Sequence, residues 1–229
     1  MEIVAEVNAS RAGPVGEFFR IGFHALAVLR GARAFHPNGL LLKGELHALA
    51  HDDLALPEEP VAVTVRMSKG AGLPGRLPDA LGLAVRIPSA DGDPWDLTLT
   101  TSGTGLAGRV LPRPARAWTT GRYSTLLPYR TKGDLIWLSA RAETSRHAEA
   151  SLDALTRLVA EGPVTYLFET VRANGHRKPC ATLTLHEVDE DASRPAFDPM
   201  LHPPRGWEPR PGWLAGLRER AYEGSREGR

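Results

Sequence analysis

Two polar residues near the end of the sequence, Arg218 and Tyr222, are four residues apart in a segment with helical spacing. Residues four apart on a helix share a face, so a guanidinium would stand beside a phenol. Free tyrosine titrates near roughly pH 10, and an adjacent cation lowers its pKa by stabilising the phenolate. The pair could therefore supply an anionic oxygen ligand for a ferric ion. On spacing alone, such a tyrosine is more often a core residue and such an arginine a surface cation.

Three histidines also have side chains that could do chemistry. His36 directly precedes Pro37-Asn38-Gly39, a strong turn signal, so the local pattern alone predicts a half-buried turn histidine. His47 and His51 are four apart, a spacing that converges on one metal ion only within a helix. Their segment reads as extended, where the two side chains would stand roughly 13 Å apart. We therefore expect two half-exposed histidines that share no metal.

The glycine-rich run 70–75 formally satisfies the dinucleotide fingerprint and follows a predicted strand. A nucleotide-binding turn must open directly into a helix whose N-terminal amides hold the pyrophosphate. Pro74 and Pro78 interrupt the only residues available for that helix. The run is therefore predicted to be a loop without nucleotide-binding function.

Seven segments rich in β-branched or aromatic residues are bounded by Gly, Pro or Asp and are predicted to be strands. They are 40–49, 61–67, 81–87, 95–101, 135–142, 164–171 and 181–188. Only 152–161 reads clearly as a helix between them, so the alternation of a parallel βαβ protein is missing. The predicted fold class is α+β, built on a curled antiparallel β-barrel over about 38–188.

Helical spacing further predicts an amphipathic helix at 16–33, after Gly13-Pro14, and a final helix at 211–226. The segment 111–130 is rich in Pro, Arg and Thr without clear periodicity, and is predicted to be a long excursion over the surface. With 229 residues, of which 42% are hydrophobic, the whole chain 1–229 is predicted to be a single domain.

Five short motifs follow one another along the chain, and together they resemble the haem-dependent catalase superfamily. They are Arg33-Ala34-Phe35-His36, Val65-Arg66-Met67-Ser68, Asp79-Ala80-Leu81-Gly82-Leu83-Ala84-Val85, Trp95-Asp96-Leu97 and Arg218-Glu219-Arg220-Ala221-Tyr222. The chain is much shorter than a catalase, and Phe197-Asp198-Pro199 before the last motif is similar to the small catalase-related proteins. The resemblance implies haem b as cofactor, in a catalase-like barrel with flanking N-terminal and C-terminal helices.

The resemblance implies a distal side of the haem with three of these residues. His36 matches the histidine that acts as general acid and base on the two peroxide oxygens. Ser68 matches the serine whose hydroxyl orients that imidazole. Thr100 falls where true catalases have an asparagine that aligns peroxide, and its hydroxyl is a less directional donor than an amide. Rapid disproportionation of hydrogen peroxide is therefore not expected.

The resemblance also implies how the haem would be held. Arg33 and Arg66 match the arginines that bind the haem propionates, a task suited to a planar and permanently charged group. Tyr222 matches the proximal iron ligand, and Arg218 the guanidinium that keeps it a phenolate. The aromatic residue that stacks on the haem in the family has no counterpart, since 103–116 contains no Phe, Tyr or Trp.

The function implied is a haem-dependent oxidoreductase that uses peroxide as a peroxidase or peroxygenase, with weak catalase activity at most. Its organic substrate is unidentified. Two alternatives stay open at this point. One is a non-catalytic protein that binds haem or senses it. The other is a haem-free barrel that carries a small ligand or acts as a hydrolase.

Composition limits the partners of the chain. Its 28 basic and 27 acidic residues give a formal charge of +1, so no global field recruits nucleic acid or a membrane surface. The start of the chain lacks a secretion pattern and no stretch approaches the roughly 20 apolar residues of a membrane span, so a cytoplasmic protein is expected. Cys180 is the only cysteine and is expected to pack in the core. Exposed strand edges would allow a homodimer.

Overall fold

The computed structural model of the chain describes residues 38–49, 56, 59–89, 92–190, 195–199 and 202–210. All of them fall within one compact unit. The predicted helices at 16–33 and 211–226 lie outside the described residues. The structure therefore bears on the predicted barrel and on the helix predicted at 152–161.

The described residues form ten strands and two helices, and every strand pairing is antiparallel. In chain order they are β1 (Asn38–Ala48), β2 (Val61–Lys69), β3 (Leu81–Ile87), β4 (Trp95–Thr101), α1 (Gly105–Gly108), β5 (Arg122–Ser124), β6 (Tyr129–Thr131), β7 (Asp134–Ala142), α2 (Leu152–Ala160), β8 (Val164–Arg172), β9 (Arg177–Val188) and β10 (Glu208–Pro209). Neighbouring strands run in the order β7-β5-β4-β3-β2-β1-β9-β8, and β8 pairs again with β7. The sheet is thus a closed eight-stranded barrel, to which β6 and β10 add a short extension.

Alternation along each strand divides the barrel into an inside and an outside. In β2, the side chains of Val63, Val65 and Met67 are buried in the core, while Thr64 and Arg66 between them are partly exposed. Successive side chains of a strand point to opposite faces, so the apolar positions converge inside the barrel. The antiparallel barrel predicted from the sequence is confirmed. Cys180 is buried in the core, and His47 is exposed on the outside of β1.

Two tyrosines and a tryptophan carbonyl form a polar contact in the core. The hydroxyls of Tyr123 and Tyr166 both donate to the carbonyl oxygen of Trp118, at 3.0 and 3.2 Å, and the two rings meet edge to face. Burial raises the pKa of each phenol, so both stay protonated and able to donate. The Trp118 indole donates to the carbonyl of Ser151, the residue that caps α2. This contact therefore links the barrel core to α2.

The segment 111–130 is not the surface excursion that its composition predicts. It contains β5 and begins β6, and the side chains of Trp118, Tyr123 and Tyr129 are buried. Three-residue strands are too short to show a period, and the surrounding Pro, Arg and Thr residues dilute the aromatic signal. Tertiary pairing with β4 and β7 forms these strands where local pattern does not predict them.

The segment 195–199 is bound to the barrel wall through one buried ion pair. Arg86 on β3 donates two hydrogen bonds to Asp96 on β4, at 2.8 and 2.6 Å, and Asp96 is fully buried. The same carboxylate accepts the backbone N–H of Asp198 at 2.7 Å. Arg86 also donates to the carbonyl of Ala196 and lies over the ring of Phe197. The Phe197-Asp198-Pro199 stretch is therefore fixed against β3 and β4.

Neither helix in the described part of the chain is long and apolar enough to cross a membrane.

We expect Asp96→Ala to destabilise the protein by about 3–5 kcal/mol, because it leaves the Arg86 guanidinium and the Asp198 N–H without their shared acceptor. The free energy of unfolding in urea measures the loss. Lys43→Ala is the matched control, since the Lys43–Glu187 pair is exposed on both sides and should cost less than about 1 kcal/mol. Equal losses in the two variants would contradict a stabilising role for the buried pair.

Candidate functional site

The predicted site residues divide into two groups. Three lie on described strands, namely Arg66, Ser68 and Thr100. The other four lie outside the described residues, namely Arg33, His36, Arg218 and Tyr222. The structure therefore tests the arrangement of the first group only.

Ser68 and Thr100 occupy matching positions on the outside of the barrel. Ser68 pairs with Gly82 on β3, and Gly82 pairs with Thr100 on β4. Directly paired residues have side chains on the same face of a sheet, and neighbouring strands are about 4.8 Å apart. The two hydroxyl-bearing residues therefore face the same way across Gly82, with backbones about 10 Å apart. Ser68 is buried and Thr100 is partly exposed.

Arg66 lies on the same outer face, close to Gly39, where a side chain would clash with neighbouring atoms. Gly39 pairs with Ser68, and a Cβ atom at Gly39 would come within 2.8 Å of both the Met67 carbonyl oxygen and the Ser68 Cβ. That Cβ would also lie 3.1 Å from the Arg66 Cζ. Close approach of neighbouring atoms, rather than an unusual backbone angle, thus requires glycine here, and it lets the Arg66 guanidinium lie across β1.

This part of the outer wall is nearly flat, because most of its side chains are small. Arg66 pairs with Ala84, and Ala84 pairs with Thr98. This row lies two residues along the strands from the row of Ser68, Gly82 and Thr100. A planar group could lie against such a surface, with the Arg66 cation at its edge. Among the residues that the structure describes, no three His, Cys, Asp or Glu side chains converge to hold a metal ion.

The row of hydroxyl groups continues beyond Thr100 around the barrel. Thr100 pairs with Ser124 on β5, Ser124 with Ser139 on β7, and Ser139 with Glu169 on β8. Ser124 is 2% exposed, and its hydroxyl oxygen is buried without a hydrogen-bond partner in the described structure. A buried hydroxyl without a partner is uncommon and marks a position with unused hydrogen-bonding capacity. The outer face of β4, β5 and β7 therefore carries three hydroxyl groups in line.

Two arginines meet one carboxylate at the end of this row. Arg122 and Arg177 each donate from Nη1 to Glu169 Oε2, at 2.8 and 3.2 Å. Both also lie within hydrogen-bonding distance of the Ser139 hydroxyl, at 3.4 and 3.2 Å. We name Arg122, Ser124, Ser139, Glu169 and Arg177 the hydroxyl-arginine cluster.

A third guanidinium, that of Arg109, adds positive charge near this cluster. Arg109 is buried, donates to the carbonyls of Gly105 and Arg172, and lies over the ring of Trp137. Burial, and then the nearby charge of Arg177, lowers the pKa of the Arg109 guanidinium below its ordinary value. Arg122 and Arg177 thus contact one carboxylate, and the Arg109 charge acts on Arg177, which leaves an excess of positive charge among these groups.

Local sequence patterns contain no signal for the hydroxyl-arginine cluster. Arg122, Glu169 and Arg177 come from three strands, and the first two are 47 residues apart. Only the register of the closed barrel brings them together. A shallow pocket of about 270 Å³ beside α2, lined by residues such as His147 and Arg157, contains none of the cluster residues.

No protein-family model matches the chain, and no curated protein matches it.

We expect Ser124→Ala to leave the protein as stable or to stabilise it by up to about 1–3 kcal/mol, because the buried hydroxyl lacks a hydrogen bond that could offset its loss of water. Ser139→Ala, on the neighbouring strand, is the matched control. It removes a hydroxyl that two arginines contact and should cost about 1–3 kcal/mol. Urea unfolding measures both changes, and a loss above about 1 kcal/mol in Ser124→Ala would show that its hydroxyl has a partner.

Proposed function

We propose that the protein is a haem-dependent oxidoreductase of the catalase-like type, located in the cytoplasm. It uses peroxide with a tyrosinate-ligated ferric haem b as a peroxidase or peroxygenase, with weak catalase activity at most. The observation that carries the proposal is the common outer face of Arg66, Ser68 and Thr100 on adjacent strands of a closed antiparallel barrel. The resemblance assigns these residues to one side of a haem, and that assignment requires a shared face.

The described part of the wall fits a flat cofactor with carboxylate groups. Gly82, Ala84 and Thr98 project little, so a planar macrocycle can lie close to the strands. Arg66 provides a fixed cation at the edge of that surface for one propionate, and Arg33 is the second such group in the resemblance. Tyr222 would ligate the iron from the final predicted helix, with Arg218 beside it.

In the proposed reaction, His36 takes a proton from one peroxide oxygen and returns it to the oxygen that leaves, so the imidazole ends as it began. The Ser68 hydroxyl orients the imidazole. Arg218 holds the Tyr222 oxygen as a phenolate by charge attraction. Ferric haem, held by Tyr222 and by the arginines at its propionates, would supply the redox-active metal for peroxide chemistry.

Chain length supports the pairing of His36 with Ser68. Gly39 is the partner of Ser68 across β1 and β2, and His36 is three residues before Gly39. Three residues of extended chain span at most about 11 Å. The proposed contact between the His36 imidazole and the Ser68 hydroxyl is therefore compatible with the length of chain that joins His36 to Gly39.

The position of Thr100 bears on which peroxide reaction dominates. Its side chain is on the same face as Ser68, so it can contact a ligand bound over Gly82. A hydroxyl aligns a second peroxide molecule less well than an amide does. The proposal therefore favours an organic substrate over a second peroxide as the reductant.

Protein expressed with a haem precursor should show a Soret band and a high-spin ferric spectrum. We expect Tyr222→Phe to lose that spectrum, because the variant removes the anionic ligand. Tyr129→Phe, on β6, is the matched control and should keep it. Absence of a Soret band in the unaltered chain would refute the haem proposal and leave a haem-free carrier or hydrolase.

We expect His36→Ala to keep its haem while peroxide-dependent oxidation of a reporter substrate falls by about 10² to 10⁴, the usual contribution of a general acid and base. His47→Ala is the control, since His47 is exposed on β1. Stopped-flow absorbance with hydrogen peroxide measures the rate, and pyridine-haemochrome analysis measures the haem. Unchanged turnover with full haem content would contradict the role of His36 as general acid and base. Absence of peroxide-dependent turnover in the unaltered, haem-loaded protein would instead favour a haem-binding or sensing protein.

A further inference from the structure

We propose that the hydroxyl-arginine cluster is a binding subsite for the carboxylate of a small organic acid. The subsite would act whether or not haem is bound, so the inference goes beyond the function proposed above. It rests on the described residues of β5, β7, β8 and β9. Its chemistry is that of two guanidinium groups and a hydroxyl, which together recognise a singly charged planar anion.

The two arginines keep most of their donors for a ligand. A guanidinium has five N–H groups, and Arg122 and Arg177 each use only Nη1 in the hydrogen bonds of the described structure. Their side chains are 29% and 30% exposed. The remaining N–H groups are therefore open to solvent at one side, while Glu169 and Ser139 fix the orientation of both planes.

The hydroxyl of Ser124 supplies an independent reason to expect a ligand. Ser124 is two residues from Arg122 on the same strand and is paired with Ser139, so its side chain is on the cluster's face. Its oxygen is buried without a partner in the described structure. Burial of an unpaired hydroxyl is unfavourable, and a ligand oxygen would remove that penalty. Contact with this hydroxyl requires the atoms that cover it to shift.

The balance of charge favours a monoanion. Arg122 and Arg177 contact the single carboxylate of Glu169, which leaves one excess positive charge for an incoming anion. One carboxylate neutralises that excess charge, whereas a dianion such as phosphate would leave a net negative charge beside Glu169. Glu169 also occupies one N–H of each arginine, so an incoming carboxylate competes with it for these cations.

The subsite is close to the proposed haem surface. Ser124 is the direct cross-strand neighbour of Thr100, about one strand spacing of 4.8 Å away. A small acid held by Arg122 could therefore extend along the hydroxyl row toward Thr100. Binding of the acid is the inference made here, and its oxidation is not required for it.

Calorimetric titration of the full chain, prepared without haem, with benzoate tests the subsite. We expect saturable binding at low salt, weakened about tenfold or more by Arg122→Gln and by Arg177→Gln, the usual effect of losing a hydrogen bond to a charged group. Ser124→Ala should weaken benzoate binding without lowering the melting temperature. Lys43→Gln, which removes one exposed cation from β1, should leave affinity unchanged.

Neutral benzamide and inorganic phosphate are the matched ligands, and both should bind more weakly than benzoate. Equal binding of benzamide would overturn the proposal, because recognition would then be apolar. Tighter binding of phosphate would overturn the carboxylate assignment. Absence of benzoate binding, or a benzoate affinity in both arginine variants equal to that of the unaltered protein, would overturn the proposal and leave the cluster as a structural ion-pair network.

A further variant decides the matter if Arg122→Gln and Arg177→Gln fail to fold. Glu169→Gln removes the internal competitor while keeping the shape of the side chain, so it should tighten benzoate binding several-fold. Unchanged or weaker benzoate affinity in folded Glu169→Gln would overturn the proposal. Because all these titrations omit haem, their failure is distinguishable from failure of the haem-dependent function, which the absorption spectrum tests.

Discussion

Pairing of β7 with β8 closes the sheet, and the arrangement of every outward side chain depends on that closure. In a closed barrel each strand has a fixed register on both sides, so inward and outward positions cannot be exchanged by a one-residue slip. The apolar inward positions fill the core. The outward positions of neighbouring strands then form continuous rows. The row that crosses β2, β3, β4, β5, β7 and β8 carries Ser68, Thr100, Ser124, Ser139 and Glu169.

Much of the barrel could be predicted from local pattern. The segments 81–87 and 95–101 coincide with β3 and β4, and the helix predicted at 152–161 matches α2 to within one residue. β9 begins at Arg177, whereas the predicted strand begins at residue 181. The prediction missed the start because Arg177-Lys178-Pro179 is polar and contains a proline, and both features lower strand propensity. The strands β5 and β6 could not be predicted, since three residues cannot establish a period.

The site is predictable to a smaller extent, for a physical reason. The sequence around Arg66, Ser68 and Thr100 predicts that they belong to strands. Their common face, however, depends on the pairing of both β2 and β4 with β3. Arg122, Glu169 and Arg177 have no local signal, because their meeting depends on register between distant strands. Charge complementarity between such residues becomes visible only once the topology is known.

The pairing of β1 with β9 has a consequence for how the chain folds as the ribosome releases it. The ion pair across these strands joins residues 144 positions apart, so β1 stays paired on one side only until almost the whole barrel has been synthesised. Contacts of such long sequence separation slow folding, and an unpaired strand edge invites association with other nascent chains. The edge of β1 that pairs with β9 is therefore open to such association until β9 has been synthesised.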